Sequence, residues 1–155
     1  MKKYISHDYE QSYPFNRAEI EKMKDAKFVG EFCLFQRGWV NNPVEVYYQP
    51  NSTYPCPYFG LLIQHGQVFI TSAESTIGIP IYGVVANDGE VIYSRYRHDF
   101  RQSKDGSVFI DGGRDYTKTN TNNGVVMTIK DGSLQIVEDE IEIKTLEENF
   151  RLLTK

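Results

Sequence analysis

Two apolar runs, Val125 to Lys130 and Ser133 to Val137, flank the dipeptide Asp131-Gly132. Asp-Gly accepts the positive φ angles that a two-residue primed turn demands, so the stretch predicts a β-hairpin. The same vocabulary, short β-rich runs cut by Gly, Pro and Asn, fills most of the chain after residue 30. It predicts strands over Glu31 to Gln36, Val44 to Gln49, Tyr58 to Ile63, Gln67 to Thr71, Ile79 to Ala86, Glu90 to Arg97 and Ser107 to Ile110, arranged as an antiparallel meander. Two segments read as helix instead. Ile20, Met23 and Lys27 or Phe28 fall near helical spacing between a capping Asn16 and Gly30, and Leu146, Phe150 and Leu153 follow a Thr145/Glu148 capping box. The fold class expected is α+β: an N-terminal helix, a mostly antiparallel β-rich body and a short C-terminal helix. The polar run Thr119 to Gly124 reads as a mobile loop.

A chain of 155 residues fits a single domain over 1–155 and is long enough to bury a core. With 40% apolar and 14% aromatic residues it is not a disordered protein. Cys33 and Cys56 are too few for a disulfide framework or a four-thiolate zinc site, and a reducing cytoplasm suits them as free thiols. The basic start lacks the apolar run of a secretory signal, and no stretch is apolar for the length of a membrane helix. A soluble cytoplasmic protein is expected, with no membrane partner.

Charge is unevenly spread. The chain carries a net −4, and residues 138–155 alone hold six acids against three bases, whereas residues 93–118 carry six bases against four acids. A local cationic patch attracts an anion even on an anionic molecule. The patch contains "VIYSRYRHDF", Val91 to Phe100, and "DGGRDY", Asp111 to Tyr116. If Val91 to Arg101 is one extended strand, His98 shares an inward face with Tyr96 and Phe100, and Arg95, Arg97 and Arg101 form an exposed row beside Tyr93.

"SRYRHDF" followed by "DGSVFIDGGRDYTK" resembles an uncharacterised zinc-ribbon-like domain of small bacterial and phage proteins, whose pattern is "RHDF", a Cys-x-Cys-Gly knuckle and "DGG" before "DY". The resemblance spans residues 84–118. It implies four metal-ligating thiols, but the corresponding positions here are Val85, Asp88, Ser103 and Asp105. Zinc is held by thiolates or imidazoles, so this segment is expected to be a degenerate, metal-free version, with no cofactor. The resemblance also implies a phage or mobile-element setting.

Each candidate has a functional and a structural reading. Arg95, Arg97 and Arg114 either grip phosphates bidentately or pair with Asp99, Asp111 and Asp115. Gly112-Gly113 is either an anion-binding nest or a sharp turn. His98 beside Asp99 is either a general base or a core histidine. Tyr47, Tyr48, Tyr54, Tyr58 and Phe59, and Trp39, are either stacking surfaces or packing. Phosphate-loop, dinucleotide-binding, nucleophile-elbow and zinc-protease motifs are absent from the sequence. The function expected is a non-enzymatic binding protein that holds an anionic small molecule, a nucleic acid or an acidic protein surface through Arg95, Tyr96, Arg97, Gly112, Gly113, Arg114 and Tyr116. The alternatives are a phosphodiesterase or ribonuclease-like enzyme using His98 and Asp99, and a structural oligomerising protein.

Overall fold

The Asp131-Gly132 hairpin is present with the geometry its turn chemistry requires: φ is 52° at Asp131 and 80° at Gly132. In the computed structural model, which describes residues 2–6, 27–33, 43–50, 58–64, 67–72, 80–95, 98–112 and 117–153, this hairpin forms one edge of the central sheet. The strands are β1 (Tyr4–Ile5), β2 (Lys27–Cys33), β3 (Pro43–Tyr48), β4 (Tyr58–Gln64), β5 (Gln67–Ser72), β6 (Ile81–Val85), β7 (Glu90–Tyr93), β8 (Asp99–Gln102), β9 (Phe109–Gly112), β10 (Thr117–Thr119), β11 (Gly124–Lys130) and β12 (Ser133–Val137), followed by helix α1 (Glu140–Leu153).

Three sheets result: β1-β7-β6-β11-β12, β10-β9-β8, and the meander β2-β3-β4-β5. All pairings are antiparallel except β1 with β7. Period-two alternation divides the five-stranded sheet between two cores. Ile81, Val85, Val91, Tyr93, Met127, Ile129 and Leu134 pack with Val29, Val46 and Tyr58 of the meander. Val84 and Ile92, on the opposite face, pack with Ala86, Val108 and Ile110 under the three-stranded sheet. Lys3 Nζ lies 3.9 Å from Glu138 Oε1. These residues adjoin β1 and β12, the opposite edges of the sheet, so the sheet curls until its edges approach.

The α+β expectation is overturned: the protein is mostly β, and α1 is the one helix among the described residues. Residues 7–26 lie outside them, but Lys27 and Phe28, the last residues of the expected N-terminal helix, open β2, which runs through Gly30 to Cys33. Pairing decides this. Phe28 sits opposite Tyr47 with ring centroids 5.2 Å apart, and Val29 is buried at a register shift between Phe28 and Gly30. Local spacing does not encode that partner.

The C-terminal helix exists but starts earlier than the Thr145/Glu148 capping box implies. Asp139 caps it, its Oδ1 accepting the Ile141 N–H at 2.8 Å, while the Thr145 hydroxyl donates to the Ile141 carbonyl at 3.0 Å within the helix. The run Thr119 to Gly124 is also tied down. Asn120 extends the ladder with its side chain, accepting from Phe109 N–H at 3.0 Å and donating to Ser107 O at 3.1 Å, and Val85 N–H bonds Asn123 O at 3.0 Å.

Candidate functional site

The stretch Val91 to Arg101 is not one strand. β7 ends at Tyr93, the chain turns a corner, and β8 begins at Asp99 in another sheet. Asp99 is the clip. Its Oδ2 accepts from the Arg95 backbone N–H at 2.9 Å and from Arg95 Nε at 2.8 Å, its Oδ1 accepts from Arg95 Nη2 at 3.3 Å, and its carbonyl accepts from Ser94 Oγ at 2.8 Å. Arg95 Nη1 also lies 3.8 Å from Glu31 Oε2 on β2. Asp99 and Glu31 are 4% and 1% exposed, so this one guanidinium pairs with one interior carboxylate and stands close to a second.

His98 turns the corner with φ 67° and is exposed. That left-handed residue breaks the alternation on which the strand reading rested. Asp99 goes inward and Phe100 outward, 58% exposed, the reverse of the expectation; His98 itself faces solvent instead of the core. Tyr93 is fully buried, donating its hydroxyl to Glu31 O at 3.2 Å, and Arg101 reaches back over the Tyr93 ring, 5.9 Å from its centroid, with Nη1 donating to Tyr93 O at 3.3 Å. The exposed row Arg95, Arg97, Arg101 therefore does not form as such. The Asp99 carboxylate serves Arg95, which removes it as the orienting group for a His98 general base.

Gly112 is a buried residue at the end of β9, paired with both Asp99 and Thr117, and its carbonyl accepts the His98 N–H at 2.8 Å. Its φ is not positive, and it is the last residue of β9 rather than a left-handed turn residue. Tyr96, Arg97, Gly113, Arg114 and Tyr116 lie outside the described residues. The residues that bound them, Arg95, His98, Gly112 and Thr117, converge on one end of the three-stranded sheet.

On the outer face of that sheet, register aligns Phe100, Asp111 and Lys118 across β8, β9 and β10. The Phe100 ring stacks on Phe109, centroids 5.5 Å apart and planes 26° apart. This aromatic pair is a feature that sequence parity hid; the signal was the His98-Asp99 corner, legible only once the alternation is known to break there.

Of the four positions aligned with the zinc-ribbon thiols, Val85 ends β6, and Asp88, Ser103 and Asp105 fall on two docked turns, at residues 86–90 and 103–108. Hydrogen bonds join them: Asn87 N–H to Ser107 Oγ at 2.9 Å, Asp88 N–H to Asp105 Oδ2 at 3.2 Å and Lys104 N–H to Glu90 Oε1 at 2.8 Å. The Ser107 N–H, the Ser103 and Ser107 hydroxyls and the Asp88 N–H hold the Asp105 carboxyl down to about 2. These residues do not fit zinc: Val85 has no donor atom, and Ser103 Oγ is spent on Asp105 Oδ1 at 2.7 Å. No group of three His, Cys, Asp or Glu side chains among the described residues is placed to hold a metal ion.

Of the aromatic candidates, Tyr47 and Tyr58 are core, and Tyr48 packs against Tyr58 with centroids 4.9 Å apart and planes tilted by 46°. The Tyr58 hydroxyl accepts the Gly132 N–H at 2.8 Å, docking the hairpin turn on the meander. Trp39 and Tyr54 lie outside the described residues. A groove of about 560 Å³, absent from the sequence reading, runs between β10 and α1, with Val84, Val126 and Val137 in its floor and Thr117, Thr119 and Ile143 in its walls.

Fold and site together define a curled β protein with a polar-clamped corner and an exposed aromatic pair beside a cationic segment. The chain matches no protein-family model, no curated protein and no solved structure. No helix among the described residues is long and apolar enough to cross a membrane.

Proposed function

We propose that the protein is a non-enzymatic binding protein that holds an anionic partner at the end of the three-stranded sheet where β8 begins and β9 ends. The observation that carries this reading is the bond from His98 N–H to Gly112 O at 2.8 Å, which joins the two cationic motifs at one point. Arg97 precedes His98 directly and Arg114 follows Gly112 by two residues, so both guanidiniums belong to chain segments anchored there. Tyr96 and Tyr116 flank them in sequence. Arg95 drops out of the ligand set because its fork is committed to Asp99, and its role becomes support of the corner. The resemblance of residues 84–118 to a phage and bacterial domain supports, within the same proposal, a phage setting and a cytoplasmic location.

Calorimetric titration with inorganic polyphosphate tests the reading. Arg97→Ala and Arg114→Ala are each expected to weaken binding, with a steeper loss in added salt for the wild type than for the variants. Thermal melting is expected to stay that of the wild type. Unchanged affinity in both variants refutes the proposal, and unfolding of either makes these arginines structural.

A further inference from the structure

We infer that β10 and the groove beside it take up an extended peptide, which adds a fourth strand to the three-stranded sheet; the site is separate from the anionic-partner reading above. β10 pairs with β9 on one side and with no described strand on the other, and Thr117, Lys118 and Thr119 are all exposed. Backbone groups along an open edge need hydrogen-bond partners, and an added strand supplies them in register.

What lies under that edge selects apolar side chains. The three-stranded sheet covers only part of the central sheet, Val108 and Ile110 packing on Val84 of β6 and Ile92 of β7. Beyond β10 the same face continues with Val126 of β11 and Val137 of β12, in register with each other and with Tyr82, and these valines floor the groove of about 560 Å³. α1 bounds the far side, where the Tyr82 hydroxyl donates to Glu147 Oε1 at 3.2 Å. A strand added about 5 Å from β10 lies about 10 Å above this floor, the spacing of packed sheets, so its alternate side chains point down onto the valines. Gly124 leaves room for them: a Cβ there would meet only Gly83 O, at 3.6 Å.

Charge argues against a second copy as the occupant. Thr117 and Thr119 share the inward direction of Gly112 and Ile110, and Lys118 points outward with Asp111. Two β10 edges paired antiparallel about their middle residue would set Lys118 against Lys118 and threonines over the valines. No ion pair joins Lys118 to Asp111, its neighbour on β9, or to another described residue. A strand reading apolar–acidic–apolar meets both features, its carboxylate opposite Lys118 and its apolar side chains on the floor.

Amide NMR of the isotope-labelled full chain, followed as the capped peptide Ser-Leu-Glu-Leu-Ser is added, tests this. Shifts are expected at Thr117 to Thr119 and Gly124 to Val126, with slowed hydrogen exchange in β10. The same peptide N-methylated at its three central residues keeps the side chains and loses the backbone donors, and is expected to bind at least about tenfold more weakly. Gly124→Val fills the groove and is expected to lower affinity at least about tenfold while melting no lower than the wild type, valine being the better strand former. Lys118→Glu, a surface change that carries the test if Gly124→Val melts early, is expected to lower affinity about threefold and to raise that for Ser-Leu-Lys-Leu-Ser by the same factor. Absence of these shifts overturns the inference. Equal binding of the N-methylated peptide makes the groove a site for an apolar molecule and overturns strand addition, as does binding indifferent to both substitutions. A wild type that dimerises in sedimentation velocity, with Gly124→Val monomeric, makes the groove a self-association surface and overturns it as well.

Discussion

Replacing Arg95 separates the two roles that its position allows. Its guanidinium makes a two-point contact with Asp99 at 2.8 and 3.3 Å and stands 3.8 Å from Glu31, and the side chain is 21% exposed while its partners are 4% and 1% exposed. Arg95→Ala thus removes the guanidinium that pairs with buried Asp99 and faces buried Glu31. Breaking one side of a buried pair costs about 3–5 kcal/mol, and the partial access of water to Arg95 puts this case at the lower end, about 3 kcal/mol. For a domain of this size that is a drop in Tm of about 6–12 °C. Asp99→Asn keeps the shape and leaves Arg95 beside Glu31, so about 1–2 kcal/mol is expected. In the double variant an asparagine no longer needs a cation, and the combined loss should fall short of the sum by at least about 1 kcal/mol. Urea denaturation followed by far-ultraviolet circular dichroism reads all three values. An Arg95→Ala protein within about 1 kcal/mol of wild type, with additive double-variant behaviour, refutes the clamp; weakened polyphosphate binding in that protein would return Arg95 to the ligand set.

The remaining expectations concern single turns. Gly132→Ala places a methyl group 2.6 Å from Tyr48 Cδ1 at φ 80°, whereas Gly106→Ala meets only Gln102 Nε2 at 3.9 Å at φ 74°; both carry a left-handed strain of about 1–2 kcal/mol, and equal denaturation midpoints would show that Tyr48 does not brace the hairpin. His98→Asn should melt within about 0.5 kcal/mol of wild type because asparagine tolerates a left-handed backbone, while His98→Val should lose about 1–2 kcal/mol, and the reverse order in thermal denaturation would place the imidazole in the core after all. The Asp105 carboxyl, lowered from 3.8 to about 2, favours the folded state above the unfolded value, and that contribution is lost as pH falls from about 4 through about 2. The difference in Tm between wild type and Asp105→Asn should therefore shrink over that window, and a constant difference would deny the carboxylate its role in the docked turns.

Local chemistry that needs no partner was readable from the sequence. Asp131-Gly132 specifies its own φ angles, and the apolar runs on either side supply the two strands, so the hairpin followed directly. Phe28 was not readable, because it ends a run in which Ile20, Met23 and Lys27 fit a helix and only its pairing with Tyr47 in β3 makes it strand. The same limit governed Asn120 and Asn123: a polar run looks like a loop until Ser107, Phe109 and Val85 supply the bonds that fix it. The cationic segment was visible as composition, but the division of labour within it was not, since Arg95 and Asp99 are four residues apart in either the ligand-binding or the clamping arrangement.

One backbone conformation accounts for that division. Had the chain from Val91 continued as a regular strand through His98, Phe100 would share the face of Ile92 and lie over the second core, and Asp99 would share the face of Val91, Tyr93 and Arg95. The left-handed turn at His98 shifts the alternation by one residue. Asp99 then enters the interior, where its charge must be met, and Arg95 is drawn in to meet it; Phe100 leaves the interior and stacks on Phe109. The clamp and the exposed Phe100 ring are two consequences of the same corner. A change that straightens the corner should consequently bury Phe100 and free Arg95 together, so loss of the clamp and loss of Phe100 exposure to solvent are expected to be coupled.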